Sequence, residues 1–306
     1  MKSIHRVPLA TLLLLLTLLS APSAQHRDAD TRASAPKLLF RSGFEAGVNL
    51  LKPRQGYQVL RGLDSSTGFR WPISVLGSNP PRLHGPVRSL LGNYAEDQNG
   101  LHLVDDPSGL LLHNEIQTVV GHDGNLTRAL FNFQAGANGA TQTPYEILNV
   151  KDGRKDLYIR YWMKMDAASL HQVDKWRAIF EWKTEDYAKG TGFRLIAFVY
   201  TDLQGHAYWH WQGDANPMSP VWEIDNFAVP VPENEWFLTE FFWHWSEGPT
   251  GRALWRVNGQ VIGDHFGPTT RNSKPIDFIM MTQLYGDANP KHQWIDDIEI
   301  WDGLAY

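Results

Sequence analysis

The sequence predicts an all-β fold, a sandwich or a barrel. Three observations carry that reading. Short segments alternate apolar and polar side chains with a period of two. Turn residues separate these segments, and long helical periodicity is absent. Many strands at short spacing without intervening helices exclude the alternating βα classes. No internal repeat of the length used by propellers or solenoids is present.

The elements follow in order. Lys2 and Arg6 precede a leucine-rich run from Leu9 to Leu19, and Ala21, Ser23 and Ala24 follow it. That layout predicts a signal peptide over residues 1–24. The run is shorter than the roughly 20 apolar residues a spanning helix needs, so no membrane attachment is expected after cleavage. Residues 25–36 are polar and read as a flexible lead-in, and residues 37–306 read as one domain. Lys52 to Asn99 is rich in Gly, Pro and polar residues and predicts a long decorated loop. Gly136 to Thr143 predicts a second, mobile loop. Leu157 to Met165 is the clearest strand, with Leu157, Ile159, Tyr161, Met163 and Met165 on one face. Further strands are predicted at Trp176–Thr184, Phe193–Thr201, Ala207–Gln212, Trp236–Ser246, Ala253–Ile262, Ile276–Tyr285 and Trp294–Trp301. Asn258 and Gly259 mark a two-residue hairpin inside one of them. Ala167 to Val173 has room for one short helical turn.

Composition narrows the function. The chain of 306 residues has no cysteine, which excludes disulfides, a thiolate nucleophile and Cys-ligated metal. A formal charge of −5 argues against nucleic acid as a partner. A secreted chain without cysteine points to a bacterial periplasmic or extracellular setting. The 13 Trp residues suit a β-rich core or a surface that stacks on sugar rings. Trp209, Trp211, Trp243 and Trp245 are expected between two sheets, whereas Trp162 and Trp222 sit on polar faces or near loops and could meet sugar.

The two ends of the domain carry a resemblance. The run from Leu39 to Glu45 resembles the first strand of concanavalin A-like jelly rolls, and Gln293 to Asp302 resembles their last. Glu240 to Gly263, a strand followed by an Asn-Gly hairpin, is similar to a pattern of the same superfamily. Gly62 to Trp71 looks like an early loop of secreted bacterial polysaccharide-lyase-like members. The resemblance covers roughly residues 39–302. It implies a β-jelly-roll sandwich of two antiparallel sheets, of the heparin-lyase-I-like or glucuronan- and alginate-lyase-like type. Such domains often hold one Ca²⁺ between their first and last strands, which implies Glu45 with Asp296 or Asp297 as oxygen ligands.

Period-two faces supply the candidate site. His206, Tyr208, His210 and Gln212 share one face of a strand, as do Arg177, Glu181 and Lys183 on a second. Glu240 and His244, Gln283 and Tyr285, and Arg128 occupy the equivalent faces of others. If the strands are neighbours, these residues form one surface suited to β-elimination on a uronic-acid polysaccharide. That reaction neutralises the sugar carboxylate, removes the C5 proton and protonates the leaving O4. His210 with Tyr208 or Tyr285 are the expected acid/base groups. Arg128, Lys183 and Gln283 are expected to neutralise the carboxylate. Glu181, Arg177, His206, His244, Glu240, Trp162 and Trp222 are expected to bind substrate. The chemistry requires no cofactor, and a monomer is expected.

Two other readings share the fold. A carbohydrate-binding protein without catalysis would present a similar aromatic surface. Trp222 to Asn226 resembles the start of the Glu-x-Asp-x-x-Glu signature of jelly-roll β-glucanases, but its third acidic position falls on Ala228. A zinc site at His206 and His210 is excluded, because four residues of strand separate them by about 13 Å.

Overall fold

The computed structural model describes residues 35–50, 60–71, 73, 94–97, 100–103, 111–136, 147–149, 154–184, 187, 190–215, 219–272, 276–280 and 284–306. The predicted signal peptide 1–24, most of the predicted lead-in 25–36 and all but the first residue of the predicted loop at Gly136–Thr143 lie outside them.

The strands are β1 (Leu38–Ser42), β2 (Asn49–Leu50), β3 (Leu60–Leu63), β4 (Arg70–Trp71), β5 (Tyr94–Asp97), β6 (Gly100–Leu103), β7 (Leu111–Val120), β8 (Leu126–Ala135), β9 (Ile147–Asn149) and β10 (Asp156–Met165). They continue as β11 (Trp176–Thr184), β12 (Arg194–Thr201), β13 (Ala207–Ala215), β14 (Ser219–Asn226) and β15 (Trp236–His244). The last are β16 (Arg252–Val257), β17 (Gln260–Phe266), β18 (Ile276–Met280), β19 (Tyr285–Gly286) and β20 (Lys291–Trp301). A ten-stranded sheet runs β17-β16-β15-β10-β20-β8-β7-β6-β5, with β1 also paired to β20. A seven-stranded sheet runs β14-β13-β12-β11-β18-β9, with β19 paired to β11. The pairing of first with last strand is antiparallel, as the resemblance implies. The protein is therefore an all-β jelly-roll sandwich of two antiparallel sheets.

The sheets meet because each strand turns its apolar alternate residues to the same side. Leu157, Ile159, Tyr161, Met163 and Met165 of β10 are all fully buried. From the facing sheet, Phe180 stacks on Phe241 at 4.1 Å and Trp182 on Trp243 at 5.3 Å. Trp209, Trp211 and Trp243 lie in this core, with Trp245 packed at its margin. Aromatic pairs of this size supply a large share of the buried apolar area.

Most predicted elements are present. The hairpin at Asn258 and Gly259 joins β16 to β17, and both residues have positive φ, as a tight two-residue turn requires. A 3-10 turn spans Ala168–His171. Two expectations need correction. The predicted loop over residues 52–99 contains β3, β4 and β5, short strands too brief to show a period. The predicted strand Ile276–Tyr285 is two pieces, β18 and β19, both paired with β11.

Candidate functional site

The outward face of the seven-stranded sheet carries a groove of about 480 Å³. Trp176, Phe198, Tyr200, Tyr208 and Tyr285 form its aromatic part, and Arg194, His210, Gln212, Glu223 and Asp225 its polar part. Register builds it. Across β12 and β13, Arg194 faces Asp214, Phe198 faces His210 and Tyr200 faces Tyr208. Across β13 and β14, His210 faces Asp225 and Gln212 faces Glu223. Opposed side chains on one sheet face lie close enough to interact, so a period of two becomes rows of contacts.

A continuous set of hydrogen bonds and ion pairs crosses four strands, β11 to β14. Asp214 is fully buried and accepts from Tyr187 Oη at 2.8 Å, Arg194 Nη2 at 2.6 Å and Gln212 Nε2 at 2.6 Å. Arg194 also reaches Glu181 at 3.3 Å, and Lys183 pairs with Glu181 at 2.7 Å. On the other side His210 Nε2 meets Gln212 Oε1 at 2.9 Å, and His210 Nδ1 meets Asp225 Oδ1 at 2.6 Å. Burial lowers the affinity of Arg194 for its proton, but Glu181 and Asp214 outweigh this and hold it firmly charged. Burial, then the charge of Asp225, holds the Tyr208 phenol above its ordinary range. Burial, then Glu181, does the same for Tyr285. Tyr200 is pushed up to about 12 by burial and by Tyr208.

The structure brings together part of the predicted set. Tyr208, His210 and Tyr285 line the groove, with Lys183 and Glu181 joined to it through Arg194. Gln283 lies outside the described residues. Arg177 belongs elsewhere. A bulge between Ala178 and Phe180 inserts one residue, so Trp176 and Ala178 face the groove side while Phe180 and Trp182 enter the core. Arg177 consequently points inward, fully buried, to Asp166 at 3.1 Å and Gln293 at 3.0 Å. His206 is exposed and bonds Asp202 across its own turn.

Arg128, Glu240, His244 and Trp162 correct the assumption of one shared surface, because β8, β15 and β10 belong to the ten-stranded sheet. Arg128 donates to the Val48 carbonyl, Glu240 accepts from Tyr158 Oη, and His244 bonds Asp156. Trp162 stacks on His122 at 3.9 Å. Trp222 lies on the core side of β14, stacked on His265 at 4.1 Å, so it does not face the groove. Its neighbours Glu223 and Asp225 do face it, as two carboxylates two residues apart on a strand should.

The implied calcium ligands gather at one corner without forming a cage. Thr127 Oγ1 donates to Glu45 and Asp296, and Asp297 bonds His122. Among the described residues no three His, Asp or Glu side chains converge as a metal site.

Sequence reasoning missed Arg194, Asp214 and Tyr200 as site residues, and read Asp225 only within the hydrolase-like motif at Trp222–Asn226. The signal was available in the strand at Phe193–Thr201. Arg194 and Tyr200 share its period-two face with Phe198, but the run reads as apolar throughout.

Comparison with known families finds no match, and comparison with curated proteins finds none either. Distant likenesses to solved structures are found. An endo-β-1,4-glucuronan lyase from the fungus Trichoderma reesei is 13% identical, with a TM-score of 0.45 over 61% of this chain and 86% of its own. An alginate lyase from Aplysia kurodai is 8% identical, with a TM-score of 0.42 over 86% of this chain and 98% of its own. An endo-1,3-β-glucanase from Streptomyces sioyaensis is 12% identical, with a TM-score of 0.38 over 92% of this chain and 99% of its own. These likenesses are distant.

Proposed function

We propose that the protein is a secreted polysaccharide lyase that cleaves a uronic-acid-containing polysaccharide by β-elimination in this groove. One observation carries the reading. Two phenols, Tyr208 and Tyr285, flank a groove that also holds His210, Gln212 and the firmly charged Arg194. Arg194 and Gln212 would bear on the sugar carboxylate and make the C5 proton more acidic. An ionised phenol takes that proton. The C5 electron pair forms the C4–C5 double bond as the C4–O4 bond breaks, and a phenol returns a proton to O4. Trp176, Phe198 and Tyr200 offer flat apolar surface to the sugar rings. The mature chain would act as a monomer in the periplasm or outside a bacterial cell, without nucleic acid, membrane or cofactor.

Binding without cleavage is the second reading, and one observation favours it. Arg194 and Lys183 are already paired with Glu181 and Asp214, so the groove holds little surplus positive charge. Incubation of the protein with alginate, glucuronan, heparin-type and pectic polymers separates the two. The lyase reading expects an unsaturated product with ultraviolet absorbance. New reducing ends without that absorbance would indicate hydrolysis, and binding alone would leave the lectin-like reading.

Tyr208→Phe is expected to lower turnover about 10²–10⁴-fold with little change in melting temperature. Both phenols are held above their ordinary range, so the ionised fraction is small at neutral pH and grows with alkalinity. Turnover is therefore expected to rise from neutral toward alkaline pH. A rate that falls over that range would remove the phenols as the base.

A further inference from the structure

The orientation of Gln212 decides the protonation of His210. The two ends of an amide side chain have the same shape but opposite hydrogen-bonding character. Asp214 settles which end points where. Its Oδ2 already accepts from Arg194 through Nε at 3.0 Å and Nη2 at 2.6 Å, so this oxygen faces its neighbours as an acceptor. The Gln212 atom 2.6 Å from Asp214 Oδ2 is therefore the donor nitrogen. Gln212 Oε1 must then face His210 Nε2, at 2.9 Å. An oxygen without a hydrogen can only accept, so Nε2 carries a proton. The opposite ring nitrogen meets the same condition. Asp225, half exposed, places Oδ1 2.6 Å from Nδ1, and a carboxylate there also only accepts. A neutral imidazole would aim a lone pair at one of these two oxygens.

The remaining neighbours agree. Tyr200 meets the ring edge-to-face at 4.9 Å and Phe198 lies tilted against it at 5.7 Å, both from β12. The ionisable groups of the groove facing this ring are Asp225 and Glu223 on β14, Tyr208 and Asp214 on β13, and Tyr200 and Arg194 on β12. With Glu181 and Lys183 joined through Arg194, the network and groove hold four carboxylates, Glu181, Asp214, Glu223 and Asp225, against two cations, which leaves room for a third.

We infer that His210 is held as a doubly protonated imidazolium, locked by Asp214 through Gln212, and serves the site as a fixed cation for an anionic sugar rather than as a base. Asp214 and Gln212 are positioning residues in this arrangement. The role in turnover rests on the lyase reading, whereas the protonation state does not.

The test is nitrogen-15 NMR of the histidine rings in the full-length protein at neutral pH. Both His210 nitrogens are expected to show the protonated signature. In Asp225→Asn, at a half-exposed position outside the core, and in Gln212→Met, one nitrogen is expected to lose its proton at the same pH. A single neutral tautomer in the unaltered protein would overturn the inference, whatever the activity. The role is read separately in kcat/KM on whichever polymer yields unsaturated product. His210→Gln is expected to lose about 10²-fold, the scale for removing one electrostatic contact, and His210→Arg to recover part of it. Equal loss in both variants would overturn the cationic role. Absence of unsaturated product from every polymer would sink the lyase reading and leave the NMR result standing.

Discussion

Asp296 shows how a single buried charge bears on stability. Burial pushes its carboxyl up to about 8, with Asp297 and Glu45 adding repulsion against the favourable Asp297 amide and Thr127 hydroxyl. An unfolded aspartate releases its proton near about pH 4. Between that value and about 8 the folded chain holds the proton that the unfolded chain gives up. The contribution of this group to stability therefore declines as pH rises through that window, and is least favourable above it. Asp296→Asn is expected to melt higher than the unaltered protein above about pH 8, with no difference near about pH 4. Identical melting curves across the range would show that the carboxyl is not strained by its surroundings.

At the scale of the element, strand irregularities decide which residues reach the groove. The bulge in β11 moves Arg177 inward yet leaves Glu181 and Lys183 outward, because one added residue inverts the alternation only on its near side. The edge strand β14 is placed by a missing side chain. A Cβ at Gly213 would stand 2.4 Å from the ring of Trp222, so glycine lets Trp222 lie flat against β13. Trp222 in turn fixes the face on which Glu223 and Asp225 emerge. Gly213→Ala is expected to cost about 1–3 kcal/mol through overpacking. It should also speed amide hydrogen exchange in β14 before the rest of the sheet. Unchanged exchange in β14 would show that Trp222 accommodates the methyl elsewhere.

For the whole molecule, the sandwich is held by aromatic contacts between β11 and β15. Trp182 and Trp243 stack at 18° between planes, and neither is exposed. Trp182→Ala is expected to cost about 3–5 kcal/mol, because the surrounding sheets cannot close over so large a void. Denaturant unfolding should show this as a lower midpoint with an unaltered slope. A midpoint shift near zero would mean that the two sheets are joined mainly elsewhere.

The sequence by itself determined the fold class, the alternation of strands such as β10 and β13, and the core position of Trp209, Trp211 and Trp243. A period of two is a local property, written into each strand as in Leu157 to Met165 or Tyr208 to Gln212. Which strands lie side by side was decided only by the tertiary structure. Arg128 and Glu240 satisfy the same local pattern as His210, yet their strands pair into the other sheet. The period of two gives Arg194 and Asp225 a face, but their meeting with His210, Gln212 and Asp214 depends on register with β13 and not on their own neighbours in sequence. The bulge at Ala178 to Phe180 has no marker of its own and is set by pairing with β12. Long-range register arises from the packing of whole faces, so local alternation names the residues that can face outward, and only assembly of the sheets selects those that meet.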